Sequence, residues 1–331
     1  MPLQQARPGE PEYPRTFEEF DRWFRTEEAC LEYVETLRWP NGFRCPRCGA
    51  SDSWRTGRGL FKCRRCGVQT SVTAGTLFDR THKPLRIWFL AMWFVTSQKY
   101  GASALGLQRV LGLGSYETAW TWMHKLRKAM VRPGRDRLGG IVEVDETYVG
   151  GEEQGAVGRL TEKKAIVVIA IEVHDPKGFG RVRMRQVLDV SAASLTPFVR
   201  HAVQPGSIVR TDGWTGYNHI ENHGYVREKH VIAGSGDPAH VVLPGVHRIA
   251  ALLKRWLLGT HQGAVSNKHL DYYLDEFCFR FNRRTSRARG LLFYRLMQQA
   301  VGPGPLRYRQ IVGRPGEPEP IALSEEPDPK G

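Results

Sequence analysis

The chain has 331 residues, too many for one small module and enough for two or three domains. Its 41% hydrophobic and 25% charged residues are globular proportions, which exclude wholesale disorder. Forty-eight basic against 34 acidic side chains leave a net charge of +14. That balance points to a polyanionic partner, nucleic acid first, because neutralised phosphates release counterions. The longest apolar run, Ile87 to Val95, is nine residues, whereas a bilayer span needs about 20. No membrane partner is expected. The first residues lack the basic and apolar stretches of a secretion signal, so a cytoplasmic location is expected.

Residues 1–40 read as N-terminal helices. Thr16 followed by Glu19 resembles a capping box, and Phe17, Phe20, Trp23 and Phe24 recur at helical spacing. A second helix is expected from about Glu27 to Leu37. Residues 41–80 hold four clustered cysteines. The wider stretch 38–86 has eleven Lys or Arg against Asp52 and Asp79, and so carries most of the excess charge. Residues 81–134 read as three helices, the first with an apolar stripe through Leu85, Trp88, Phe89, Met92 and Trp93. Their glycine-bearing turns allow a helix-turn-helix and equally a helical spacer. After a linker at Arg132 to Arg135 the pattern becomes mixed α/β, over 135–300. Strands are expected at Ile141–Val144, Ala165–Val173, Val182–Val190 and Ser207–Arg210. Helices are expected at Leu195–Val203, Val246–Leu258 and Leu270–Arg280. Residues 301–331 form a tail rich in proline and acid, expected to be disordered.

Cys45-Pro-Arg-Cys48-Gly and Cys63-Arg-Arg-Cys66-Gly are two CxxC knuckles with fourteen residues between them. Four thiolates so presented suit tetrahedral Zn²⁺, and the glycine after each pair permits the positive φ that closes the turn. Arg47, Arg64 and Arg65 surround this site, either to contact phosphate or as a solvated face. Cys30 and Cys278 lie in apolar helical settings and read as core thiols.

Two acidic side chains end apolar strands: Asp145 after Val142-Glu143-Val144, and Asp212 after Val209-Arg210-Thr211. Such carboxylates can share a divalent ion, Mg²⁺ by preference, although turn-capping is as common a use. At 100° per residue, His247 and Lys254 fall about 20° apart, opposite the stripe of Ile249, Leu252, Leu253 and Trp256. They point together to solvent or into a cleft.

These segments resemble a known family. The resemblance is carried by Val144-Asp145-Glu146-Thr147-Tyr148-Val149-Gly150-Gly151, by Thr211-Asp212-Gly213-Trp214-Thr215-Gly216-Tyr217 and by Leu253-Lys254-Arg255 with Gly259-Thr260-His261. The run from Lys268-His269-Leu270 to Asn282-Arg283-Arg284 adds to it. Together with the cysteine knuckles they resemble bacterial insertion-sequence transposases of the ISXO type, over residues 16–300. The resemblance implies a ribonuclease H-like catalytic domain at 135–300. It implies DDE chemistry with Mg²⁺ or Mn²⁺: a hydrolytic cut at the transposon end, then attack of the freed 3′-hydroxyl on target DNA. Asp145 and Asp212 match the first two catalytic positions. The third, usually Glu or Asn, falls on His247, a softer, uncharged ligand that relatively favours Mn²⁺; Glu276 is an alternative that reads equally well as a salt-bridge partner. Lys254 matches the family's basic residue, so it and Arg255 are expected to face DNA. Arg283 and Arg284 belong to a second basic strip, for phosphates or for salt bridges. Synapsis of two transposon ends implies a homodimer or larger assembly on DNA. Two rival readings remain open: a catalytically inactive zinc-ribbon DNA-binding protein, favoured by His247, and a related structure-selective nuclease.

Overall fold

The computed structural model describes residues 12–132, 134–151, 164–174, 176, 178–230, 239–302 and 304–313. Helices α1 (Phe17–Trp23) and α2 (Glu27–Arg38) come first. Short strands β1 (Ser53–Arg55), β2 (Phe61–Cys63) and β3 (Gln69–Thr70) follow, then α3 (Leu85–Ser97), α4 (Ala104–Leu111) and α5 (Tyr116–Ala129). Next come β4 (Ile141–Val149), β5 (Ala165–Val173), β6 (Phe179–Val187), α6 (Ala192–Ala202), β7 (Ile208–Thr211) and β8 (Val226–Lys229). Helices α7 (Ala239–Val242), α8 (Pro244–His261), α9 (Leu270–Phe281), α10 (Arg289–Ala300) and α11 (Tyr308–Val312) complete the order. No helix among the described residues is long and apolar enough to cross a membrane.

The chain forms two compact units. The first joins the described residues up to Arg132 with 285–313. Its core is aromatic: Phe20, Phe24, Phe89 and Trp93 surround Phe293 of α10, with ring centroids 5.4–5.9 Å from it. Helix α10 therefore leaves the 135–300 domain in which its sequence position put it. Its buried Leu292, Phe293, Leu296 and Met297 fill the α3 side of this core instead. Gly290 makes the fit possible, because a Cβ there would lie 1.6 Å from the Pro14 carbonyl oxygen. Thr16 caps α1 by accepting the Glu19 N–H, but Glu19 accepts from Arg15 rather than from Thr16, so the capping box is half formed. Glu27 accepts the first N–H groups of α3, Leu85 at 2.7 Å and Arg86 at 3.3 Å, and ties α2 to it. Helices α4 and α5 are joined by a short turn in which Gly112 is left-handed (φ +61°). Half of the α5 residues are buried, and its exposed positions are in the first turn and at Lys128. Part of the expected disordered tail is ordered here, as α11; residues from 314 onward lie outside the described residues.

The second unit spans 133–284. Its sheet has the order β6-β5-β4-β7-β8, with β6, β5 and β4 mutually antiparallel and β4, β7 and β8 parallel. In chain order that is third, second, first, fourth, fifth strand, the arrangement of a ribonuclease H-like domain. Helix α6 makes the crossover that parallel β7 requires. One face packs Val142, Val144, Val168, Ala170 and Val209 against Leu195, Phe198 and Val199 of α6. The other packs Val167, Ile169 and Ile171 against α8 and α9. Strand β4 runs for nine residues, not the four expected, so Asp145 lies in mid-strand. The apolar run ends at Val144, but β5, apolar from Ala165 to Ile171, goes on pairing with the polar half, as far as Val149 with Ala165.

Candidate functional site

The zinc-ribbon cysteines converge. Their four sulfurs lie within 4.8 Å of one another, Cys45 Sγ being 3.5 Å from Cys66 Sγ and Cys48 Sγ 3.6 Å from Cys63 Sγ. The two knuckles repeat one design: Gly49 N–H donates to Cys45 O and Gly67 N–H to Cys63 O, both glycines at φ +71°. Burial opposes ionisation of Cys45, yet N–H groups of Cys48 and Arg47 and the neighbouring thiols bring it down to about 6. Four soft donors in this cluster fit structural Zn²⁺. Arg47, Arg64 and Arg65 are exposed around it. Arg64 lies 3.2 Å from exposed Asp52 and over the Trp54 ring at 5.4 Å. Cys30 and Cys278 are buried, and burial pushes each thiol up to about 12, as suits core residues.

The acidic site is built by strand register. Strand β4 pairs with β7 through Ile141–Ile208, Val142–Val209 and Glu143–Arg210. The same offset, carried two residues on, sets Asp145 level with Asp212 just past the end of β7. Adjacent strands are about 4.8 Å apart. Val142, Val144 and Val209 belong to the α6-side core, so Glu143, Asp145, Arg210 and Asp212 alternate to the side of α8. There His247, on the first turn of α8, brings Nε2 to 3.9 Å from Asp145 Oδ2. Asp212 holds its own loop, Oδ1 accepting the Trp214 N–H at 2.9 Å. Among the described residues, only the four cysteines draw three or more such donor atoms all within 4.8 Å; Asp145, Asp212 and His247 do not meet that limit.

Three further side chains fix this geometry, none of them a candidate site residue in the sequence. Glu143, 2% exposed, accepts the Val246 N–H at 3.0 Å and so caps α8 one residue before His247. Burial raises its pKa, against the N–H groups of Val246 and Gly245, which lower it. Gly245 admits the carboxylate: a Cβ there would lie 2.7 Å from Glu143 Oε2 and 3.1 Å from Ile171 Cγ2. Arg227 of β8 pins the loop after β7, donating to Thr211 Oγ1 at 3.0 Å, Asn218 Oδ1 at 2.8 Å and Trp214 O at 3.1 Å. Tyr217, fully buried, closes the loop by donating to Glu146 Oε2 at 3.2 Å. Burial, then the charges of Glu146, Asp145 and Asp212, keep its phenol protonated.

The basic candidates divide. Lys254 and Arg255 are exposed on α8. Surrounding protein and then Lys164 lower the Lys254 pKa, which makes Lys164 a neighbouring cation that the sequence did not mark. Arg283 and Arg284, the second basic strip, make contacts within the protein. Arg283 donates to Phe279 O and stacks 4.1 Å over the Phe279 ring; Arg284 donates to Gly180 O and Phe179 O. Glu276, fully buried, is paired with Arg280 at 2.8 Å, the salt-bridge alternative of the sequence reading.

Residues 137–282 match the ISXO2-like transposase domain, and residues 25–69 the transposase zinc-ribbon domain. The chain is similar to a protein in transposable element ISH50 of Halobacterium salinarum, 27% identical over 283 residues, 78% of this chain and 91% of that protein. The catalytic core domain of BIV integrase is a looser likeness: 17% identity, 46% of this chain and 89% of that one, TM-score 0.31. The α/β unit therefore carries the ISXO2-like transposase domain, with the transposase zinc ribbon ahead of it in the chain.

Proposed function

We propose that the chain is a DNA transposase that cuts transposon ends and transfers them to target DNA, with Asp145, Asp212 and His247 as its catalytic residues. The observation that carries this reading is the parallel β4–β7 register, Glu143 opposite Arg210, whose offset carried on brings Asp145 level with Asp212, together with His247 at 3.9 Å from Asp145. Two hard anionic oxygens and one imidazole nitrogen suit Mg²⁺ or Mn²⁺. When bound, such ions activate the attacking oxygen and stabilise the leaving one. In the first step water attacks phosphorus and the bond to the 3′-oxygen breaks; in the second that 3′-hydroxyl attacks a target phosphodiester. The phosphodiester count is conserved in the second step, so no energy source is needed. Lys254 and Lys164 supply positive charge for phosphates beside the carboxylates. Glu143 holds α8, and with it His247, against β4. The ribbon arginines, Arg255 and the α4–α5 segment are the remaining DNA contacts of this reading, and two ends held together require a dimer or larger assembly.

The test is end cleavage and strand transfer on duplexes bearing the element's terminal repeats, with Mg²⁺ or Mn²⁺. Asp145→Asn and Asp212→Asn are expected to abolish both reactions and leave DNA binding intact. Strand transfer that survives either change overturns the assignment. A second reading, a silent DNA-binding protein, draws on the uncharged His247 and on the Asp212 oxygen already spent on Trp214. Binding by the wild-type chain without any cutting would select it.

A further inference from the structure

The catalytic unit has a second concentration of positive charge, on the α6 side of the sheet rather than on the α8 side to which Asp145 and Asp212 alternate. Strand β6 is an edge strand. Its Arg183 and Arg185 pair with Ala170 and Val168 of β5, which face α6, so both arginines rise on that side. The segment entering β4 is drawn in beside them. Leu138 N–H donates to Ala202 O, and Gln204 N–H to Leu138 O, each at 2.8 Å, at the end of α6. Arg183 donates to Asp136 O at 2.8 Å and Arg181 to Arg137 O at 2.9 Å. This clamp sets Arg135 and Arg137 next to Arg200 and His201, the last turn of α6.

The electrostatics report the same crowding from several groups. Burial and then Arg135, Arg185, Arg137 and Arg183 hold the His201 pKa below its ordinary value. Burial and then Arg135 push Arg183 down to about 10. Arg137 and Arg200 both act on the buried Tyr225. Glu172, the buried acid of the neighbourhood, is bonded to Arg181 at 2.6 Å, and its charge also reaches Arg183. Like charges at this density repel, and a polyanion removes the repulsion while releasing its own counterions.

We propose that Arg135, Arg137, Arg185 and Arg200, with His201, form a phosphate-binding surface that grips duplex DNA by its backbone, apart from the active site. The proposal rests on the reading of the chain as a DNA-processing protein and adds where the duplex is held. No side chain here is offered to base edges, so the grip is independent of sequence.

The test uses the full chain and a short fluorescent duplex of arbitrary sequence, with binding followed by anisotropy over a series of KCl concentrations. Each lost phosphate contact lowers the slope of log K against log salt by about 0.9. The triple variant Arg135→Gln, Arg137→Gln, Arg200→Gln is expected to lose about 2.7 from that slope. The matching triple change to Lys is expected to keep it, because a point charge suffices for a phosphate. Arg200→Gln alone, at an exposed helical position, is expected to lose about 0.9 without any risk to the clamp. A wild-type slope in the folded Gln variants overturns the proposal, as does an equal loss in the Lys variant. Asp145→Asn is expected to abolish strand transfer with the slope unchanged. A slope that falls in the Gln variants of a chain that never transfers strands supports this surface while overturning the catalytic reading.

Discussion

Glu143, a buried carboxylate, holds the helix of His247 to the strand of Asp145. Glu143→Ala leaves the Val246 N–H without its acceptor at a site 2% exposed. An orphaned buried donor costs about 1–3 kcal/mol. Loss of the negative charge at the start of an 18-residue helix adds at most about 2 kcal/mol. Relief of a desolvated carboxylate works the other way, since burial raises the Glu143 pKa. The net expectation is a loss of about 2 kcal/mol at neutral pH, within the range of a broken cap. Glu143→Gln keeps an oxygen acceptor and discards the charge, so it should lie within about 1 kcal/mol of wild type. The pH dependence separates the terms. A carboxyl whose folded pKa lies above its unfolded value favours folding most below the unfolded value, and loses that contribution as pH rises through the folded one. Wild type should therefore lose stability from this residue between about pH 4.5 and its raised pKa, and Glu143→Gln should not. Urea unfolding at pH 5 and pH 8, with hydrogen exchange of the Val246 amide as the local readout, measures both. Equal damage from Gln and Ala would show that charge rather than hydrogen bonding holds the helix. No damage from Ala would refute the cap.

Gly216→Ala should cost about 3 kcal/mol or more and yield insoluble protein, because its Cβ would lie 2.3 Å from the Val190 carbonyl oxygen; soluble expression at the wild-type melting temperature would contradict this. Tyr217→Phe removes the bond to Glu146 and should lower stability by about 1 kcal/mol, read by urea unfolding. Chelation of zinc should abolish amide protection in β1–β3, which have few paired residues of their own, and leave β4–β8 protected in hydrogen exchange. His247→Glu adds a charge close to Asp145 and should lower the metal-free melting temperature while enlarging the rise on adding Mg²⁺; an unchanged rise would remove position 247 from the ligand set.

What the sequence made legible follows from how local each signal is. The ribbon was readable because each CxxC turn and its glycine close within five residues. Helix α3 was readable because its apolar stripe repeats at helical spacing. Strand β4 was cut short because the polar residues after Val144 owe their extended form to β5, a partner in space. Helix α10 shows the same limit: an apolar stripe states that a face is buried and is silent about its partner, here the aromatic core with Phe20 and Phe89. Arg283 and Arg284 stand among many arginines in composition, and their carbonyl and ring contacts come from partners in space that the sequence does not name.

The candidate site itself joins two periodicities. In a strand, residues two apart share a face, so Glu143 and Asp145 point together toward α8. In a helix, the opening N–H groups need acceptors, and Val246 finds one in Glu143. Val246 is followed directly by His247, and Glu143 is followed two residues later by Asp145, so docking the helix start on one carboxylate aims the imidazole at the other. The parallel ladder to β7, with Glu143 opposite Arg210, carries the same offset on toward Asp212. A one-residue slip of β4 would turn Glu143 and Asp145 into the α6-side core together, losing the cap and the acid in one step. The buried cap thus penalises any register that misplaces the acid, and the geometry of the site is secured by the same hydrogen bond that secures the fold.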